Sequence, residues 1–276
     1  MKRSLSSVVI EPSRGLFNFN VKALWDYREL LYFLAWRDLK ARYAQTVMGL
    51  LWAVVQPLFM MVVFTVIFDK IGQFPSDGIP YPLFAYAALV PWTFFAKSLD
   101  RSGFSVVAES NLVTKIYFPR LIIPLSATLG GLLDFMIAFL LLVAMMIWFG
   151  VLPTWKLLVV PFYLLLTIMA SLAVSLWFSA LFVKYRDISA VIPLMTQVWM
   201  FASPIVYPVS MIPQEWQKLY SINPMVGVID GFRWALLGTP AQDPAVLVLN
   251  VLIIVVFFLL GMAYFNRMAN TFADVI

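Results

Sequence analysis

The sequence predicts an all-α integral membrane protein: six transmembrane helices, an N-terminal amphipathic helix in the membrane interface, and a re-entrant hairpin before the last span. Three observations predict it. The chain is 63% hydrophobic and only 12% charged, where a soluble domain carries roughly 25% charged residues. Its apolar residues gather in runs of about 20, the length that crosses a hydrocarbon core. Its lysines and arginines lie mainly between those runs.

The elements follow in order. Residues 1–20 are polar and mixed, without the apolar core of a signal peptide, so the mature protein is expected to begin near Met1. Residues 1–45 form a cytoplasmic segment ending in an amphipathic helix over 21–43. There Leu24, Tyr27, Leu31 and Leu34 make one apolar stripe, and Asp38 and Arg42 are spaced as an i,i+4 pair. Beside a membrane span such a helix suits the interface, although an ordinary cytosolic helix has the same pattern. Residues 46–264 form the transmembrane domain, with spans at 46–68, 81–99, 121–149, 156–183, 189–202 and 245–264. Pro57 should kink the first span, because a proline inside a helix removes one backbone bond. Pro91-Trp92 falls in the middle of the second. Residues 100–120 are polar, with a short helix expected near 106–116. Residues 204–239 hold Pro204, Pro208, Pro213 and Pro224 among apolar and aromatic residues. That stretch is too broken for one span and too apolar for a solvated loop, so it is read as short re-entrant or interfacial helices tucked into the bundle. Residues 265–276 are a cytoplasmic tail.

Composition excludes several chemistries. The chain has no cysteine and no histidine. That removes thiol nucleophiles, disulfides, the commonest general base and the usual metal ligands. The net charge of +5 would suggest nucleic acid in a soluble protein. Here the basic residues concentrate in the N-terminal segment, in 97–120, in 184–186 and in the tail, which places both termini in the cytoplasm and turns the charge toward the inner leaflet. Lys70, Lys156, Lys218 and Arg233 are left outside.

The densest motif is RDLKARYAQTVMGLLWAVVQP, residues 37–57: a basic helix end, a Gln-Thr pair, Gly-Leu-Leu-Trp and a Gln-Pro kink. Other pieces follow in order: Pro91-Trp92, NLVTKIYFPR at 111–120, KYRDI at 184–188, ASPIVY at 202–207 and Asn223-Pro224. Together they resemble the permease subunits of ABC-2 type polysaccharide exporters, O-antigen and teichoic-acid branch, over nearly the whole chain. The capsule branch has a Gly-Tyr-x-Trp and Glu-Pro pattern in its first span. This chain has Gly49-Leu50-Leu51-Trp52 and Gln56-Pro57 instead.

The resemblance implies a permease that exports a polysaccharide linked to undecaprenyl diphosphate across the bacterial plasma membrane. It implies a homodimer bound to two copies of a cytosolic ABC ATPase, with membrane lipids around it and no role for nucleic acid. The chain lacks a G-x-x-x-x-G-K-[ST] loop. It is therefore not expected to be an enzyme or to hold a cofactor, ATP and Mg being bound by the partner. The ATPase would dock on a coupling helix within 105–117, with Glu109, Asn111 and Lys115 as its polar residues, although a plain amphipathic loop would read the same. Arg186 and Asp187 either join that contact or serve the next helix, with Asp187 as its cap.

The same cargo suggests roles for further side chains. Arg37, Lys40 and Arg42 could capture the lipid diphosphate, or act only as topology anchors. Tyr43, Trp52, Tyr86, Trp92, Trp177 and Trp199 are candidates to line a glycan conduit by stacking on sugar rings, most such aromatics being packing or belt residues. Pro204, Tyr207, Trp216, Tyr220 and Pro224 would shape an outer gate. Asp134, deep in an apolar run, must face a partner or a wet cavity. A hydrogen bond across the bundle is its simplest role; a channel-lining group or proton relay is the other.

Other functions fit less well. Drug or lipid efflux permeases of the same superfamily often carry a larger external domain than the short 69–80 loop. A polyprenyl-phosphate transferase needs clustered acids or histidines. A coupled carrier usually shows an internal repeat.

Overall fold

Small residues decide the centre of the fold. In the computed structural model, which describes residues 21–44 and 49–272, Ala85, Ala87 and Ala88 are fully buried. They belong to a 28-residue helix at Tyr81–Ala108 that, among the described residues, contributes more buried side chains than any other helix. Lipid tails are as apolar as leucine, so helices in a membrane associate through close packing, which small residues permit. Most of the remaining helices pack directly on this one. In chain order the helices are α1 (Val21–Asp26), α2 (Arg28–Tyr43), α3 (Gly49–Phe64), the central α4, α5 (Ser110–Lys115), α6 (Ile122–Leu129), α7 (Leu132–Trp148), α8 (Val160–Lys184), α9 (Ile188–Phe201), α10 (Gln214–Tyr220), α11 (Pro224–Leu237) and α12 (Pro244–Ala269). A π-helical turn, Thr65–Ile71, prolongs α3, and a 3-10 turn, Trp155–Val159, leads into α8. The expectations for residues 1–20, for the Gln45-Thr46 pair and for the last four tail residues lie outside the described residues.

The fold is all-helical among the described residues, and four stretches are long and apolar enough to cross a membrane: Leu51–Ile71, Ile122–Trp148, Trp155–Lys184 and Pro244–Ala269. This is a multi-pass membrane protein. α4 has the length but carries Lys97, Asp100 and Arg101 in its second half. α9 has only 14 residues, about 21 Å against a core of about 30 Å.

Several expectations need correction. The helix that carries the expected second span runs on past residue 99, with Pro91-Trp92 inside it. It continues to Ala108 with its serine hydroxyls tied to backbone carbonyls: Ser102 Oγ donates across the bundle to Pro124 O at 2.9 Å, and Ser105 Oγ to Ser102 O of its own helix at 2.7 Å. The break comes at Glu109, and the separate helix that follows covers only Ser110–Lys115. The third span is two helices, α6 and α7, broken at Gly130-Gly131.

The stripe on α2 forms as expected but faces the protein. Leu34 is buried, with Leu24, Tyr27 and Leu31 beside it, in a cluster that includes Val106, Val113, Phe118 and Phe265. Trp25, Tyr32, Phe33 and Trp36 form the exposed apolar face instead. Tryptophan and tyrosine have apolar bodies with polar tips, which is the chemistry of a membrane interface.

Residues 204–239 divide into two environments: 204–206 and α11 are largely buried, whereas most of 210–219, including α10, is exposed. α11 is buried along most of its length. Gly227 and Gly231, four residues apart, let it approach its neighbours: a Cβ at Gly227 would lie 2.5 Å from Asn250 Oδ1, and one at Gly231 would lie 2.0 Å from the Tyr163 ring. Its start is set by Asn223, whose side chain accepts from the Met225 N–H at 3.0 Å, with Pro224 in the first turn.

Candidate functional site

The polar centre of the molecule is Asp134, in the first turn of α7. Its Oδ2 accepts from Arg101 Nη2 at 2.8 Å and from Arg42 Nη1 at 3.2 Å, and its Oδ1 accepts from the Tyr43 hydroxyl. Three elements distant in sequence therefore meet here: the end of α2, the second half of α4 and the start of α7. The Gly130-Gly131 break makes room. Arg42 Nη2 donates to Gly130 O at 2.9 Å, and a Cβ on Gly130 would sit 3.0 Å from that nitrogen. A Cβ on Gly131 would sit 3.4 Å from Arg101 Nη1. Lys97, one turn before Arg101 on the same face of α4, lines a pocket with Arg101, Asp134, Thr93 and Ala53.

The expected Asp38–Arg42 pair forms differently. Arg42 Nε reaches the Asp38 backbone carbonyl at 3.3 Å while its guanidinium turns to Asp134. The Asp38 carboxylate takes Arg37 at 2.8 Å. Burial, the largest effect, together with Arg101 lowers the pKa of Arg42. Burial and the Asp134 bond push Tyr43 up to about 12, so its hydroxyl stays a donor.

A second link ties α2 to the turn between α4 and α5. Arg37 grips both Glu109 oxygens, with Nη1 to Oε2 at 3.1 Å and Nη2 to Oε1. The Glu109 bond raises the pKa of Arg37 against the opposing effect of burial. Of the sequence-predicted cations, then, Arg42 joins Asp134, Arg37 joins Glu109, and Lys40 is exposed.

The predicted coupling residues separate in the same way. Glu109 is held by Arg37, whereas Asn111 and Lys115 on α5 are exposed. Arg186 and Asp187 are exposed between α8 and α9. Asp187 stands at the N-cap position of α9 but makes no capping bond with its side chain; only its backbone carbonyl serves, taking the Ala190 N–H at 3.0 Å. That corrects the expected side-chain cap.

The aromatic candidates also sort by environment. Tyr86 and Trp92 lie in the core. Trp177 stacks on Tyr264, with centroids 4.6 Å apart. Trp199 donates from Nε1 to Asn223 Oδ1 at 2.8 Å and meets Phe95 edge-on. Trp52 is 59% exposed on α3, and Tyr43 belongs to the Asp134 group.

Around the 204–239 segment, Tyr220 and Tyr207 share a hydroxyl bond at 3.1 Å, Tyr207 donates to Phe201 O at 3.0 Å, and Trp216 is exposed. Pro204 O accepts from Arg233 Nη1 at 2.6 Å. Arg233, read from sequence only as an outside charge, is 1% exposed. It also donates to Ile205 O at 2.8 Å and Phe84 O at 3.2 Å, with its guanidinium 3.4 Å from the Phe84 ring centroid.

Sequence reasoning likewise took Lys97 and Arg101 for topology charges. The signal that could have found them was Asp134 itself. A lone acid in an apolar run needs a cation, and Lys97 and Arg101, four apart on one helix, lie at the edge of the preceding run.

Comparison with known proteins agrees with this architecture. The ABC-2 type transporter family matches residues 29–237, from α2 through α11. The chain is 30% identical over 216 residues to the O-antigen export system permease protein RfbA of Myxococcus xanthus, covering 77% of this chain and 82% of that protein. It is 28% identical over 264 residues to RfbA of Klebsiella pneumoniae, covering 94% and 98%. It is 23% identical over 215 residues to the polysialic acid transport protein KpsM of Escherichia coli, covering 73% and 78%. The match over most of the length, together with the bundle of apolar helices it spans, means that the chain belongs to the ABC-2 type transporter family, as a membrane permease component that associates with an ABC ATPase.

Proposed function

We propose that the chain is the permease subunit of an ATP-driven exporter that carries a polysaccharide, linked to undecaprenyl diphosphate, across the bacterial plasma membrane. The observation that carries this reading is the near full-length likeness to O-antigen export permeases. The cargo is a glycan of the O-antigen or teichoic-acid type. Two copies of the chain form the conduit, and two ATPase subunits drive it from the cytoplasm, where both termini lie. ATP and Mg are bound by those subunits.

In this reading α4 and α9 complete a six-span bundle, and 204–239 re-enters it from the outer side. α5, with Asn111 and Lys115, receives the motion of the ATPase. The Arg37–Glu109 link passes that motion to the interface helix. Trp52, exposed on α3, is the aromatic best placed to meet a glycan. Deleting the chain should leave lipid-linked glycan on the cytoplasmic side and none at the surface. Normal surface glycan in a strain without related permeases would overturn the proposal.

The weaker likeness to KpsM supports a second reading, in which the cargo is a capsule-type polysaccharide. The chemical identity of the trapped glycan separates the two.

A further inference from the structure

The Asp134 group is unbalanced. Arg42, Arg101 and Lys97 lie around one carboxylate, and both guanidinium groups lean on the same oxygen, Oδ2. Arg101 Nη1 is enclosed and has no hydrogen-bond partner among the described residues. An enclosed charged donor without an acceptor is costly, and a single carboxylate has too few acceptor directions for two arginine forks. A phosphate-type anion has more oxygens, more charge, and a geometry that matches guanidinium groups. The surroundings also say where such an anion comes from. Ala53 of α3 lines the pocket, while Leu51 and Val55 beside it are exposed and apolar. A headgroup in the pocket can thus keep its hydrocarbon chain along α3.

We infer that the pocket bounded by Lys97, Arg101 and Asp134 binds the phosphate-type headgroup of a lipid, with Asp134 holding the place of the anion until the lipid arrives. The incoming oxygens take donors from Arg101, including the idle Nη1, and from Arg42. Asp134 then loses its hold on Arg42, and the end of α2 is released from α7 while the Arg37–Glu109 link keeps its other attachment. Capture of the lipid therefore loosens one of two pins on the interface helix. In naming undecaprenyl diphosphate as the native lipid, this inference rests on the cargo proposed above.

The assignment makes two substitutions act in opposite directions. The purified permease with its ATPase, in nanodiscs of phosphatidylcholine, is titrated with undecaprenyl diphosphate, phosphatidylglycerol or inorganic diphosphate, and binding is followed by native mass spectrometry. Arg101→Gln should weaken undecaprenyl diphosphate binding by about tenfold or more, since it removes charge-assisted hydrogen bonds. Lys97→Gln should weaken it less. Asp134→Asn should strengthen it severalfold, because the competing charge is gone. Lys97 makes no hydrogen bond among the described residues, so Lys97→Gln and Asp134→Asn carry the test if Arg101→Gln does not fold. A merely structural cluster would leave affinity unchanged in these variants, or lower it in all of them, and either result overturns the inference. Inorganic diphosphate competing as well as the lipid would overturn the lipid assignment. If phosphatidylglycerol binds as tightly as undecaprenyl diphosphate and with the same dependence on Arg101, the headgroup site stands and the proposed cargo falls. If the variants bind every probe like wild type while glycan export continues, the site falls and the proposed function stands.

Discussion

Two arginines hold the two ends of this bundle in different ways. Arg233 spends its donors on fixed acceptors, the backbone carbonyls of Phe84, Pro204 and Ile205, and lies on the Phe84 ring. Arg101 shares one carboxylate oxygen with Arg42 and leaves a nitrogen idle. Carbonyls of packed backbone do not exchange, so Arg233 is a clamp. A carboxylate on a side chain can be outcompeted, so Arg101 is placed to change partners. The glycines tell the same story. Gly231 lies against the Tyr163 ring, a rigid body, whereas Gly130 lies against the far end of the flexible Arg42 side chain.

The largest effect should come from breaking the clamp. Arg233→Met leaves three carbonyls without their donor, and should cost on the order of 3 kcal/mol or more of stability, read as a large fall in the thermal midpoint of the purified protein. Arg233→Lys should recover only part of it, since an ammonium cannot reproduce the planar fork. A wild-type midpoint for Arg233→Met would show that the clamp is not needed. Next in size, Gly231→Ala forces a Cβ into the Tyr163 ring and should cost about 1–3 kcal/mol; pairing it with Tyr163→Ala should restore most of that loss. If it does not, the close approach of α11 to α8 is not what Gly231 provides.

The Asp134 end should respond more weakly in stability. A double-mutant cycle between Arg101 and Asp134 should give a coupling of about 1 kcal/mol, because both groups are partly solvated and Asp134 has other partners. A coupling as large as the Arg233→Met loss would erase the contrast between the ends. The smallest change in stability is expected for Arg37→Gln, under about 1 kcal/mol for a part-exposed pair. Its effect on transport should be larger than its effect on folding. The exchange Arg37→Glu with Glu109→Arg should restore transport if the link passes motion, and a failure to restore it would place the defect elsewhere.

Much of this was legible in advance, for local reasons. The apolar runs marked the four stretches long and apolar enough to cross a membrane, because hydropathy is a property of contiguous residues. Asn223-Pro224, read in advance only as a motif, carries the start of α11, because capping is decided within one turn. The stripe Leu24, Tyr27, Leu31 and Leu34 marked the helix face correctly but not which way it turned. The exposed aromatics Trp25, Tyr32, Phe33 and Trp36 compete for the role of membrane face, and only packing decides between two apolar faces. The continuation of α4 to Ala108 was hidden because its serines look like loop residues until Ser102 is seen to bond Pro124 O across the bundle and Ser105 the carbonyl one turn before it.

The sequence by itself determined that this is a helical membrane protein of the ABC-2 family, that it carries no nucleotide loop, and that Asp134 would need a partner. Those conclusions rest on composition, on motifs and on the cost of a lone charge in hydrocarbon, all of which are read along the chain. Only the tertiary structure decided that the partners are Arg42 and Arg101, and that Arg233 turns inward. Asp134 is 92 positions from Arg42, and Arg233 is 149 from Phe84. Contacts at that separation are chosen by how helices pack across the bundle, where glycines, alanines and turns decide which side chains can approach, and no local pattern records that choice.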